Sequence, residues 1–200
     1  MDTFLQLLSL HGRHVHLEPL AREHAAALGD AAADGELWNL WYTDVPAREH
    51  MATWIDAALR AQARGLALPF VVRDPDSDRI VGSTRYCNVD AANRRLEIGY
   101  TWYAASVQRS AVNTECKRLL LAHAFETLHC IAVEFRTHWH NTRSREAILR
   151  LGAKQDGVLR HHRILADGSL RDTVVFSILA AEWPAVKRNL DARLSRGATP

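Results

Sequence analysis

The chain has few cysteines: Cys87, Cys116 and Cys130 among 200 residues. Their odd number and irregular spacing argue against a disulfide framework and against paired-cysteine metal or redox motifs. A reducing cytoplasm suits that usage best. Excess charge is also missing, since 25 Lys and Arg against 23 Asp and Glu leave a net +2. Nothing in that balance demands a nucleic acid or an acidic membrane as partner. The opening MDTFLQLLSLHGRH lacks a basic leader, and its apolar run is short and interrupted. It reads as neither signal peptide nor membrane anchor. No repeat or low-complexity stretch occurs. What remains is a chain that is 48% hydrophobic, enough at this length for one domain with a sizeable core.

The stretch from Leu96 to Gly152 organises the rest. Leu96 to Trp102 is apolar and aromatic enough for a strand, and Ile131 to Thr137 alternates as a second. Between them Thr114 to Leu128 is rich in helix formers, with Asn113 or Thr114 available as a cap. A strand–helix–strand unit of this length is a crossover, which sets its two strands parallel or splayed side by side. The turn before the helix, from Gln108 to Asn113, is where an anionic ligand would sit. A helix N-terminus offers unpaired N–H groups and partial positive charge, and Arg109 adds a full one.

Around this unit the pattern predicts a first strand over His14 to Leu17, ending at Pro19, and a helix over Arg22 to Asp30. A second helix is expected from Pro46 to Arg64, where Met51, Trp54, Ile55, Ala58 and Leu59 share a face. Strands over Pro69 to Arg73 and Arg79 to Tyr86 flank an Asp-rich turn and should pair antiparallel. Ser144 to Leu151 is a short helix closed by Gly152. Ala153 to Leu165 and Leu170 to Leu179 flank Asp167-Gly168 as a hairpin. Ala181 to Leu194 is a last amphipathic helix, with Pro184 tolerable in its first turn. The class is α+β, a mixed sheet with helices on both faces.

The central segment resembles the coenzyme A-binding core of the GNAT superfamily of N-acetyltransferases, and most of all its Rim-type branch. The residues that carry the likeness are Glu97-Ile98-Gly99-Tyr100, then Gln108, Arg109, Thr114, Glu115 and Lys117, then Asn141 and Ser144. The resemblance runs from about Gly12 to Lys187. It implies one acetyltransferase domain over 12–187, an N-terminal extension over 1–11, and a helix end and tail over 188–200. It also implies a mostly antiparallel central sheet with a splayed parallel strand pair, acetyl-CoA as cosubstrate, and an amine acceptor. A homodimer is common in such families. The superfamily's phosphate loop is Q/R-x-x-G-x-G/A; this chain has Ala111 and Asn113 at the glycine positions. If the turn needs positive φ at Ala111, the strain is on the order of 1 kcal/mol.

The resemblance assigns the cofactor to Tyr100, Thr101 and Trp102 through their backbone, to the loop Gln108, Arg109, Ser110, Ala111, Val112, Asn113 and Thr114, and to Asn141. Acetyl transfer to an amine requires removal of an ammonium proton, and free α-amines and lysines have pKa values of about 8 and 10.4. Glu97 is the first candidate base; its alternative is an exposed strand carboxylate paired with Arg94 or Arg95. His138 is a second candidate base. Ser144 is the candidate donor to the departing thiolate, since no tyrosine follows Tyr103. Asn141 is equally a good N-cap, with Ser144 at N3. His138 and His140 share a face of an extended segment, but no cysteine or carboxylate completes a metal set. Trp38, Trp41 and Tyr42 lie where the resemblance places a wall of the acceptor pocket; core packing is the other reading, above all for Trp38. No cysteine has the surroundings of a nucleophile, so transfer should be direct. The rival to an enzyme is a CoA- or partner-binding module that keeps the fold without turnover, and Ala111 is the feature that favours it.

Overall fold

The computed structural model describes residues 4–165 and 167–196, so the outer ends of the expected extension and tail, together with Ala166, lie outside the described residues. The chain opens with β1 (Leu10–His11) and β2 (His16–Pro19), followed by α1 (Ala25–Ala33) and α2 (Met51–Ala63). A meander of β3 (Leu68–Arg73), β4 (Ile80–Asp90) and β5 (Arg95–Tyr103) leads into α3 (Ala111–Ala122), whose last turn widens into a π-helical His123–Thr127. Then come β6 (Ala132–His138), α4 (Thr142–Leu151), β7 (Lys154–Ile164), β8 (Leu170–Leu179) and α5 (Trp183–Arg196). All eight strands join one sheet in the order β1-β2-β3-β4-β5-β6-β8-β7. Every neighbouring pair is antiparallel except β5 and β6.

The expected elements are present, most with ends moved by a few residues, such as β2 at His16–Pro19 and β4 running on to Asp90. Leu10–His11 adds an edge strand that two residues of sequence do not announce. The second helix starts at Met51 rather than Pro46, behind a 3-10 turn over Arg48–His50. The third starts at Ala111 rather than Thr114, because Ser110, not Asn113 or Thr114, is its cap: Ser110 Oγ accepts from the Val112 N–H at 3.3 Å.

The alternation of each strand splits the core in two. On one face Leu96, Ile98, Val133, Phe135, Val174 and Phe176 pack with Cys116, Leu120 and Leu121 of α3, Ile148 of α4 and Val186 of α5. On the other, Val71, Ile80 and Trp102 pack with Leu28 and Ala32 of α1 and Met51 and Ile55 of α2. Burial of the apolar stripe on each helix holds the layers together. Glu115 locks the sheet's far edge to α3, accepting the backbone N–H groups of Arg13, His14 and Val15 at 3.0, 2.5 and 2.9 Å.

The parallel pair sets the site. β5 and β6 are in register for three residues, Arg95↔Ala132, Leu96↔Val133 and Glu97↔Glu134, and then part. From Ile98 to Tyr103 the β6-facing backbone edge of β5 has no ladder partner.

Candidate active site

The gap between β5 and β6 is a cavity of about 760 Å³. Its walls include β5 from Glu97 to Tyr103, β6 from Phe135 to His138, the first turn of α3, one face of α4 and the segment around Tyr42. Glu97 stands at the apex, as the last paired residue before the strands diverge.

The carboxylate of Glu97 is 6% exposed, so it is not a solvated strand residue. Its partners are neither Arg94 nor Arg95: Arg95 is engaged by Glu134 at 2.6 Å. Glu97 Oε2 instead accepts from the Asn88 amide at 2.7 Å and faces Arg136 Nε at 3.5 Å. Arg136 also donates to Glu134 at 2.9 Å, which divides its charge between two carboxylates. Burial raises the Glu97 pKa, against the opposing pull of Asn88 and Arg136. Gly99 explains the E-I-G order, because a Cβ there would lie 2.8 Å from Glu97 Oε1. The missing side chain is the room in which the carboxylate sits.

One residue past Gly99 the strand bulges. Ser83 pairs with Trp102 and Arg85 with Gly99, so Tyr100 and Thr101 together oppose Thr84. Tyr100 adopts φ 51 and lays its ring 4.0 Å from the Arg85 guanidinium, which Trp54 covers from another side at 4.8 Å. Thr101 turns to α3, where its Oγ1 meets Lys117 Nζ at 2.5 Å. Burial pushes the Lys117 pKa down to about 8. Lys117 lines the cavity and was legible only as a motif letter.

At the other end, Gln108, Arg109, Ser110, Asn113 and Thr114 line the cavity. Ala111 and Val112 are not among its lining side chains; Val112 is buried in the core. The condition for strain at Ala111, a positive φ, is not met. Ala111 is the first residue of α3 in ordinary helical conformation, and the left-handed residue of this turn is Arg109, at φ 63. Alanine suits that place better than glycine does. Across the gap, Asn141 caps α4 by accepting from the Ser144 N–H at 3.0 Å, so the cap reading of Asn141 holds. Ser144 lines the cavity. Arg143 and Arg150 join it one helical face along, a seven-residue spacing that sequence reading passed over.

In the segment before α2, Tyr42 lines the cavity and neither Trp38 nor Trp41 does. Trp38 packs on the second core, whereas Trp41 is 57% exposed and meets His138 edge to face at 5.0 Å. His138 Nδ1 accepts the His140 N–H at 3.0 Å, so its neutral ring carries the proton on Nε2. That nitrogen is a donor, which weakens His138 as a base. Among the described residues no group of three His, Cys, Asp or Glu converges as a metal site, and no helix is long and apolar enough to cross a membrane.

Residues 14–154 match the family model described as an acetyltransferase (GNAT) domain. The chain belongs to the GNAT N-acetyltransferase family. Its relatives lie in the Rim-type branch: it is 26% identical over 125 residues to the [Ribosomal protein uS5]-alanine N-acetyltransferase of Escherichia coli K12, covering 60% of this chain and 61% of that protein. It is 33% identical over 100 residues to YdaF of Bacillus subtilis 168, or 50% of this chain and 54% of YdaF. The chain thus spans a little over half the length of these two curated relatives. A crystal structure of a GCN5-related N-acetyltransferase from Brucella melitensis superposes with a TM-score of 0.87 at 31% identity, covering 95% of this chain and 86% of that one.

Proposed function

We propose that the protein transfers an acetyl group from acetyl-CoA directly to a primary amine, of a protein N-terminus or of a small molecule, in the cytoplasm. The carrying observation is the buried carboxylate of Glu97 at the apex of a gap whose backbone edge is free. An extended pantetheine arm fits that gap as an added strand, with the β6-facing groups of Ile98 to Trp102, which have no ladder partner, beside it; the Tyr103 carbonyl already accepts from Gln108 Nε2 at 3.0 Å. Its pyrophosphate fits the first turn of α3, where Arg109 and the unspent N–H groups of the helix offer positive charge.

Acetyl-CoA supplies the activated carbonyl. Glu97 takes a proton from the ammonium, directly or through one water, and its raised pKa makes it a stronger proton acceptor than an ordinary carboxylate. The amine nitrogen bonds to the carbonyl carbon, a backbone N–H of the bulge stabilises the oxyanion, and the carbon–sulfur bond breaks; the nitrogen loses its second proton to water, while Ser144 protonates the thiolate and regains a proton from water. A cysteine relay has no support. Burial raises the thiol pKa values of Cys87 and Cys116, and that of Cys130 to about 11, so none is a ready nucleophile. The binding-module alternative loses its argument with Ala111, which sits unstrained in a helix.

Calorimetry with acetyl-CoA, followed by thiol release across a panel of amines, tests this reading. We expect saturable binding and turnover of at least one amine class. Absence of binding at millimolar acetyl-CoA overturns it; binding without turnover across the panel moves the balance to the module.

A further inference from the structure

The β7–β8 hairpin forms the far wall of the acceptor side, and it is distorted where it meets the cavity. Pairing runs to Leu159↔Thr173 and resumes at Arg163↔Arg171, so three residues of β7 bulge against Asp172 alone. His161 takes φ 47 within that bulge. The outcome is two arginines directly opposite each other on an antiparallel pair, both lining the cavity. Like charges in that relation destabilise a sheet.

Among the described residues no carboxylate comes within ion-pair distance of Arg163 or Arg171. Asp172 is engaged by Arg160 at 2.5 Å and by the His161 N–H at 2.8 Å. Asp44 and Glu97 act on Arg171 from farther off. Arg171 Nε donates to Thr173 Oγ1 at 3.1 Å, which leaves the outer face of its fork free. On β6, paired with Thr173, His138 is 3% exposed, and its Nε2 is buried with no hydrogen-bond partner. Because Nδ1 is an acceptor, that orphan is an N–H donor. Burial, Arg171 and His140 all push the His138 pKa down, so the donor stays neutral. Two unpaired cations and one orphan donor therefore line one cavity, while the buried carboxylate of Glu97 lies at its apex.

We propose that Arg163, Arg171 and His138 form an anion subsite, and that the acceptor is a primary amine bearing a carboxylate or phosphate a few bonds away. This rests on the acetyl-transfer reading and deepens it. The ammonium is drawn to Glu97 and the anion to the arginine pair, so one zwitterionic fragment satisfies both ends of the acceptor side. The fragment has two sources, a free amino acid-like metabolite or a peptide N-terminus with an acidic side chain close behind it.

Matched acceptors decide between the outcomes. With acetyl-CoA saturating, thiol release is compared for glutamate and its diamide, and for Ser-Glu and Ser-Gln tetrapeptides. The anionic member of one pair should show a KM about tenfold lower. The pair that discriminates identifies the source. That ratio should collapse in Arg171→Gln and Arg163→Gln and survive in Arg171→Lys, with acetyl-CoA binding as the folding control. Equal KM values within both pairs, or a ratio untouched by the glutamine variants, overturns the subsite. Trp41, which packs on His138, gives a readout that needs no turnover. Glutarate and inorganic phosphate should change its fluorescence saturably in the wild type and not in Arg171→Gln. If acetyl-CoA fails to bind while that titration succeeds, the transfer reading falls and the anion subsite stands; a flat titration overturns the subsite on its own.

Discussion

The Asn88 amide donates to Glu97 Oε2 across 2.7 Å, from a bulge in β4 where Cys87 pairs with Glu97 and Asp90 with Arg95. Asn88 holds φ 47 there, a conformation asparagine tolerates better than most residues. Its bond stabilises the ionised carboxylate against burial, so Asn88→Ala should raise the Glu97 pKa further. The acid limb of kcat/KM should then move to higher pH, with acetyl-CoA affinity unchanged. An unmoved limb would mean that another group titrates in the rate profile.

Glu97→Gln should separate activity from stability. Loss of the base should lower kcat by about 10²- to 10⁴-fold. Folding raises the Glu97 pKa, so the stability it contributes is fully present below its ordinary value of 4.5 and lost as pH rises through the folded value. At pH 7, well above that ordinary value, burial of the group weakens the fold. The variant should therefore melt no lower than the wild type at pH 7, and the gap in its favour should close in acid. A variant that loses Tm and kcat together would point to a structural carboxylate instead.

In the phosphate turn a glycine at position 111 should bring no gain. Ala111 is the first helical residue, so Ala111→Gly relieves nothing and loosens the start of α3. It should lower stability by up to about 1 kcal/mol and leave acetyl-CoA binding level or weaker. Arg109 holds the left-handed position at φ 63. Arg109→Asn, which keeps that tolerance and removes the charge, should weaken acetyl-CoA and flatten its salt dependence in calorimetry.

Period and punctuation made most of the fold legible: Met51, Ile55 and Ala58 are buried along α2 at helical spacing, and Gly152 closes α4 at φ 104. The bulges were not legible. Those at Asn88, Tyr100 and His161 change no composition, yet each resets which side chains face the cavity, and none carries a glycine at its left-handed residue. Glu97 was singled out from its motif, but its partner Arg136 lies on the neighbouring strand, and Arg95, closer in sequence, is drawn to Glu134. The cap of α3 was missed: the sequence reading took Asn113 or Thr114, and Ser110, which qualifies equally by type, was passed over. The left-handed turn at Arg109 decides it, and that turn is a property of the backbone.

Lys117 offers a test that needs no substrate. Its ammonium is 5% exposed, bonded to Thr101 Oγ1 at 2.5 Å, with no carboxylate in ion-pair range among the described residues. Burial lowers its pKa from 10.5 to about 8, so between those values the unfolded chain binds the proton and the folded one does not. Stability tied to this group therefore rises with pH across that window, and below it the buried charge weakens the fold. Lys117→Met removes the charge and the titration together. Its stability relative to wild type should be highest near neutrality. From about pH 7 to about pH 10.5 that advantage should shrink by on the order of 3 kcal/mol, read from urea midpoints at each pH. Cysteine and tyrosine titrations at high pH act on both proteins alike and cancel in the difference. A difference that stays flat with pH would mean that water reaches the ammonium and that Lys117 is charged at little cost throughout.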